Sequence, residues 1–298
     1  MVRLHLHSMQ KSEATGPFKT LRSMQPADHA YLYELEDSFW WFAGMREITS
    51  ALLDPVTPFP IDRDILDAGC GTGGMMSWLT RYAGNGRVVG IDLSAAALRF
   101  CRLAGHRTVA QASVTSLPFP DSAFDLVTSF DVLVQLAGAG SDDLALREIR
   151  RVLKPGGLTF VRVAAYEWMK SSHDTALNTQ HRYSLAEITG KVKHAGFDVL
   201  RATHANSLLM PVAIFQRQVL KRIGLASGSD VKPLPSPLRW LNPILTAALR
   251  AEAHWLTRPQ ARLSFGLSAI CVGQKPLAVH DSNSQIARDT ASSSSTLI

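Results

Sequence analysis

The sequence predicts an α/β fold: a mostly parallel seven-stranded sheet with helices on both faces and a helical insertion before the last strand. Three observations predict it. Short apolar runs of strand length occur at 64–67, 88–91, 108–111, 124–129, 158–163, 197–202 and 268–272. Segments with apolar residues three and four apart separate most of them, at 75–82, 95–103, 142–153 and 185–195, the succession expected of βαβ units. A glycine-rich turn, Gly69-Cys-Gly-Thr-Gly-Gly74, joins the first strand to the next helix. Such turns line ligand crevices at the carboxyl ends of parallel strands.

The elements follow in order. Residues 1–27 mix Ser, Thr and His without periodicity and are expected to be disordered, with Met24 an alternative start. A single domain is expected over 28–275. Its first part, 28–60, is helical: apolar residues recur from Ala30 to Leu53, and Pro55 ends the pattern. The aromatic group Phe39-Trp-Trp-Phe42 reads as a lid over the cleft with Arg46 facing inward, or as the packing face of a helix. The strand–helix succession fills 61–202. Residues 205–263 interrupt it with two apolar stretches around a Pro-rich connector at 232–237, a helical insertion. After Lys275 the chain turns polar and serine-rich, so 276–298 are expected to be a disordered tail.

Composition narrows the function. At 298 residues and 46% hydrophobic, the chain can bury a full α/β core. The net charge of +6 comes from 31 basic against 25 acidic residues, and the basic residues are dispersed at helical spacing, as in Arg147-Arg150-Arg151-Lys154. Basic patches with interleaved aromatics are absent, as is an Asn/Asp-Pro-Pro-aromatic tetrapeptide, so nucleic acid is disfavoured as a partner. Cys70, Cys101 and Cys271 form no CxxC pair, which argues against a disulfide framework or a zinc site and fits a reducing cytoplasm. No apolar run suits a signal peptide or a membrane span, so a soluble cytoplasmic protein is expected.

The chemistry-bearing residues sit at the first two strand ends. Ile65-Leu-Asp-Ala-Gly-Cys-Gly-Thr-Gly-Gly74 ends a strand in an acid and turns on glycines, which let a ligand approach the backbone. Val88-Val-Gly-Ile-Asp92 ends the second strand in another acid, placed to accept hydrogen bonds from ribose hydroxyls. Gly69, Gly71 and Gly74 also satisfy the dinucleotide fingerprint GxGxxG, so a ribose-bearing cofactor is indicated before its identity is. Asp67 would repel a pyrophosphate and suits a cofactor with a positive amino or sulfonium group. The backbone N–H groups of the following helix can receive that cofactor's carboxylate.

These blocks resemble a known family. Asp67-Ala-Gly-Cys-Gly-Thr-Gly73 resembles motif I of the class I S-adenosylmethionine-dependent methyltransferases. Leu117-Pro-Phe-Pro-Asp-Ser-Ala-Phe-Asp125 and Arg147-Glu-Ile-Arg-Arg-Val-Leu-Lys-Pro-Gly-Gly157 resemble two later motifs of their type 11 group. The resemblance covers roughly 62–165 and implies a Rossmann-like class I methyltransferase fold with S-adenosyl-L-methionine as cofactor. It places Gly69, Gly71 and Gly73 along the methionine part, Asp67 near its amino group, and Asp92 and Leu93 beside the ribose and adenine. Ser113, with Val114 next to it, stands where relatives often carry an acid for the adenine amino group. Val134-Gln135 replaces a frequent Glu-His pair. Asp131 is a further cofactor candidate, with helix N-capping as its alternative.

Methyl transfer from a sulfonium is an in-line displacement that needs alignment and exclusion of water, and a base only where the acceptor must lose a proton. The acceptor is therefore sought after the fifth strand, in Ala165-Tyr-Glu-Trp-Met-Lys-Ser-Ser-His-Asp174 and His181-Arg-Tyr183. His173, Asp174 and Tyr183 are the candidate catalytic residues, with capping and packing as their alternative. His173, Asp174 and His181 match no metal-ligand spacing, so no metal is expected. The expected partner is a small-molecule acceptor or one of glycan or lipid type. For 205–263, core packing, an acceptor pocket, a dimer surface and an interfacial membrane contact stay open. A non-catalytic cofactor-binding module and an NAD-dependent oxidoreductase are the competing functions.

Overall fold

Alternation along the first strand, β1 (Ile65–Ala68), sets the two faces of the sheet. Ile65 joins one apolar cluster, and Leu66 and Ala68 join the other. Such a strand is buried on both sides, as the centre of a parallel sheet requires. The computed structural model describes residues 26–36, 39–58, 61–171, 174–175, 177–215 and 240–277.

Two helices, α1 (Pro26–Leu35) and α2 (Trp40–Leu53), precede the sheet. β1 is followed by α3 (Gly74–Leu79), β2 (Val88–Asp92), α4 (Ala95–Leu103), β3 (Val109–Gln111) and β4 (Phe124–Phe130). Then come α5 (Ser141–Val152), β5 (Leu153–Ala164), α6 (Leu185–His194), β6 (Asp198–Ala205), α7 (Met210–Ile214), α8 (Asn242–Leu256) and β7 (Ser268–Gln274). The seven strands lie in the order β3-β2-β1-β4-β5-β7-β6. Pairs among β1 to β5 are parallel, and β7 runs antiparallel between β5 and β6. The expected mostly parallel sheet with helices on both faces is therefore present.

Helices cover each face with the side their apolar spacing dictates. Leu146 and Ile149 of α5 and Ile188 and Val192 of α6 pack with Val127, Val161 and Val163. Met45, Ile48 and Leu52 of α2 and Leu249, Ala253 and Leu256 of α8 pack with Leu126, Phe160, Ile270 and Val272. The α2–α8 contact is close: a Cβ on Gly44 would strike the Leu249 side chain. In β5 the strand begins directly after α5, because Leu153 already pairs with Phe124 across a bulge before Leu126. Residues 154–157, which lie between the segments expected as helix (142–153) and strand (158–163), belong to β5, with Gly156 at φ 79°.

The N-terminal helix opens at Pro26, and residues 1–25 of the expected disordered head lie outside the described residues, as do 278–298 of the expected tail. Within 205–263, α7 and α8 are helical and 216–239 lie outside the described residues. Among the described residues no helix is long and apolar enough to cross a membrane.

Candidate functional site

The site begins where alternation puts a charge in a core position. Asp67 follows Ile65 by two residues, so its carboxylate faces the α2 side of the sheet, 1% exposed. Thr128, its partner across the β1–β4 pair, donates to Oδ1 at 2.8 Å. Burial raises the Asp67 carboxyl to about 7, with Glu36 and Asp92 adding to the rise and Thr128 and Arg162 opposing it. A buried acid beside two other acids gains most from a positive ligand.

The turn after β1 takes left-handed backbone at Gly69, Gly71 and Gly73, with φ of 96°, 55° and 99°. Gly69 is packed, since a Cβ there would strike Val132. Gly71 opens to empty space, with no atom within 4 Å of such a Cβ. Asp92 braces the turn: its Oδ2 accepts from the Gly71 N–H at 2.9 Å and its Oδ1 from the Ser94 N–H at 2.8 Å. Burial pushes the Asp92 carboxyl up, and these N–H groups draw it back. Each oxygen still has acceptor capacity for a ligand hydroxyl. Thr72 is 1% exposed and its Oγ1 has no partner, a buried polar atom of the kind a bound group satisfies.

The N-terminal helices close this turn from above. Glu36, just past α1, accepts from the Gly74 N–H at 2.9 Å, so a side chain of this chain holds the N–H expected to await a cofactor carboxylate. Arg46 of α2 donates to the Glu36 carbonyl at 3.0 Å and toward that of Gly74 at 3.4 Å. His29, buried in α1, lies 3.1 Å from Ser94 Oγ, and its charge would lower the Asp92 carboxyl. The aromatic group both packs and reaches the cleft side. Trp40 and Trp41 lie against the α2-face core, and the Arg162 guanidinium sits 5.1 Å from the Trp41 ring.

Across the cleft, three non-glycine residues with positive φ stand at the carboxyl ends of strands: Asp131 (58°) after β4, Tyr166 (62°) after β5 and Asn206 (62°) after β6. Strain of this kind gathers at functional sites. Asp131 is held by the buried Arg162, whose Nη2 lies 2.7 Å from Oδ2. Tyr166 Oη is 3.0 Å from His204 Nε2, and His204 Nδ1 is 3.2 Å from the Leu263 carbonyl. Burial lowers the His204 pKa, which favours a neutral ring that donates from Nδ1 and accepts from the Tyr166 hydroxyl. Asn206 is 3% exposed and its Oδ1 has no partner.

The other sequence candidates have local partners. Ser113 Oγ is 2.7 Å from Thr115 Oγ1, Val114 is buried, and the Leu93 carbonyl accepts from Gln111 at 2.9 Å. Asp174 is buried in an ion pair with Arg182, 2.6 Å from its Nε, and also accepts from the Ser171 N–H. Tyr183 is buried and donates to Asp142 Oδ2 at 2.9 Å, with burial the larger cause of its raised pKa. These contacts tie the segment just before α6 to the loop after β5 and to Asp142 of α5, a bracing arrangement. His173 lies outside the described residues.

Arg162, Tyr166, His204, Asn206 and Glu36 were not singled out from the sequence. Arg162 left a signal, a lone cation in the apolar run Leu158-Thr-Phe-Val-Arg-Val-Ala164. Two quoted blocks prove to be a brace. Glu148 accepts from the Leu117 N–H, and Arg151 donates to the Leu117 and Phe119 carbonyls while pairing with Glu148 and Asp121.

The residues present fit S-adenosylmethionine. Three carboxylates, Asp67, Asp92 and Glu36, meet at an open glycine turn with an unsatisfied Thr72 hydroxyl, a set that suits positive groups and a ribose and would repel a pyrophosphate.

Residues 66–161 match the type 11 family model of the methyltransferase domain. A Mycolicibacterium smegmatis protein assigned as an S-adenosylmethionine-dependent methyltransferase is 33% identical over 140 residues, 46% of this chain and 52% of that protein. A ubiquinone/menaquinone biosynthesis C-methyltransferase of Cellvibrio japonicus is 33% identical over 128 residues, 40% of this chain and 49% of that one. The chain thus spans about half the length of the curated relatives it matches. In fold it is similar to a structure solved as a complex of the Haloferax volcanii Trm112 methyltransferase activator with a methyltransferase, at TM-score 0.55 and 23% identity over 85% of this chain and 96% of that one. Turn, acids and strand order agree with the match of residues 66–161 to the methyltransferase-domain family model.

Proposed function

We propose that the whole chain transfers the methyl group of S-adenosylmethionine to a small-molecule acceptor, of glycan or lipid type among the candidates, in the cytoplasm. The observation that carries the reading is the convergence of Asp67, Asp92 and Glu36 on the open turn at Gly71. When bound, the cofactor supplies an activated methyl group. Asp67 faces its positive groups, Asp92 receives its ribose hydroxyls, and α1 and α2 keep water from the cleft.

The acceptor belongs on the β4–β5–β6 side, where Asp131, Tyr166 and Asn206 hold strained backbone. Arg162 fixes Asp131, and His204 fixes the Tyr166 hydroxyl. His173 stays a candidate base, while Asp174 and Tyr183 act as positioning residues through Arg182 and Asp142.

Calorimetric titration with S-adenosylmethionine, S-adenosylhomocysteine and NAD tests the reading. Saturable binding of the first two and not of NAD is expected. Asp92→Ala should weaken it by about 1–3 kcal/mol through lost charge-assisted hydrogen bonds. Binding of NAD alone, or of none of the three, overturns the proposal.

A further inference from the structure

An amphipathic helix normally buries one apolar stripe and shows water a polar face. α8 has two apolar faces. Its inner face places Leu249, Ala253 and Leu256 against the α2-side core, and its only acid, Glu252, is buried there, accepting from the Leu208 N–H at 2.7 Å. Its outer face is apolar as well. Trp240, just before the helix, is followed by Ile244, Ala247, Ala251 and Trp255 at intervals of three and four. All five are exposed, with Trp240 at 65%, Ile244 at 55% and Trp255 at 46%.

Basic side chains border this stripe. Arg250 and His254 are exposed along one edge, and the Arg258 guanidinium lies 4.5 Å from the Trp255 ring. Arg250 is 3.8 Å from Glu47 of α2, an exposed pair at a distance that leaves the guanidinium available to other anions. No acid of α8 lies on the outer face. Tryptophans at both ends of an apolar stripe, with cations beside it, are the features that seat a helix in the plane of a lipid interface. Charge selects the occupant: a second copy would bring the same cations, whereas anionic headgroups complement them.

We propose that the outer face of α8 docks the protein on an anionic phospholipid surface, with Trp240, Ile244 and Trp255 entering the headgroup boundary and Arg250, His254 and Arg258 meeting lipid phosphates. This stands apart from the methyl-transfer reading, since none of these residues lines the cofactor turn.

The test is co-sedimentation of the full chain with phosphatidylcholine vesicles, with and without phosphatidylglycerol. Binding to the anionic vesicles, reduced by added salt, is expected. Ile244→Ser/Trp255→Ser should weaken it by roughly tenfold or more, because both side chains lose an apolar environment. Circular dichroism and S-adenosylhomocysteine affinity should not change, which separates lost docking from lost fold. Arg250→Gln/Arg258→Gln should abolish the preference for phosphatidylglycerol. Failure of the wild-type chain to bind either vesicle overturns the proposal. So does undiminished binding by the Ile244/Trp255 variant. So does a wild-type dimer that this variant converts to a monomer, because the stripe would then be an interface between copies.

Discussion

Asp67 has the most exposed consequence of any single residue. Burial raises its carboxyl to about 7, so between about pH 4 and pH 7 the folded chain holds a proton that the unfolded chain has released. Stability therefore falls as pH rises through that window and levels off above it. Ligand affinity runs the other way. A positively charged cofactor favours the ionised carboxylate, so S-adenosylmethionine should bind several-fold more tightly at about pH 8 than at about pH 6. Asp67→Asn should flatten that profile in calorimetry, and an unaltered slope would remove Asp67 as the counter-charge. Asp67 and Asp92 were legible in the sequence because each stands at or next to the end of a strand recognisable from its own neighbours. Glu36 was not legible, because its partner Gly74 lies 38 residues away on another element. Tyr166 and Asn206 were hidden for a related reason: a positive φ is imposed by the surrounding fold, and neither residue type announces it.

Among elements, the α2–α8 contact is the place where a small change should be felt most. Gly44 lets the helices approach until Leu249 fills the space a side chain would take. Gly44→Ala should cost about 1–3 kcal/mol in urea unfolding through overpacking. A neutral result would mean that the helices can separate freely. Periodicity located α5, α6 and α8 to within a few residues, because each buries an apolar stripe on the sheet, whereas the stretch from Ala30 to Leu53 spans parts of both α1 and α2. It missed the α5–β5 junction, where the expected strand began at 158 but β5 starts at Leu153, pairing with Phe124 across a bulge. Periodicity was also silent on the use of the later blocks. Glu148 and Arg151 clamp the 117–121 segment, a task visible only once helix and loop are side by side.

For the whole molecule, seven strands could be counted from the sequence but their order could not, since apolar alternation carries no direction. Among the described residues β7 is the last strand, it lies between β5 and β6, and β6 pairs with no other described strand. A chain ending before Ser268 should therefore leave the inner edge of β5 and all of β6 unpaired. Such a truncation should be largely insoluble or aggregated by size-exclusion chromatography, because open apolar strand edges recruit other chains. A soluble monomer that still binds S-adenosylhomocysteine would show that the β1–β4 half stands alone.

That insertion also orders events on the ribosome. The turn at Gly69–Gly74 and both strands that carry its acids are made before the strands of the rim, with all their sheet neighbours following before Ala164. The rim bearing Tyr166, His204 and Asn206 must wait, because its central strand is among the last described segments to emerge. A nascent chain can thus assemble its cofactor half while its acceptor half still has an open seam, and that interval is when a chaperone would have the most to cover.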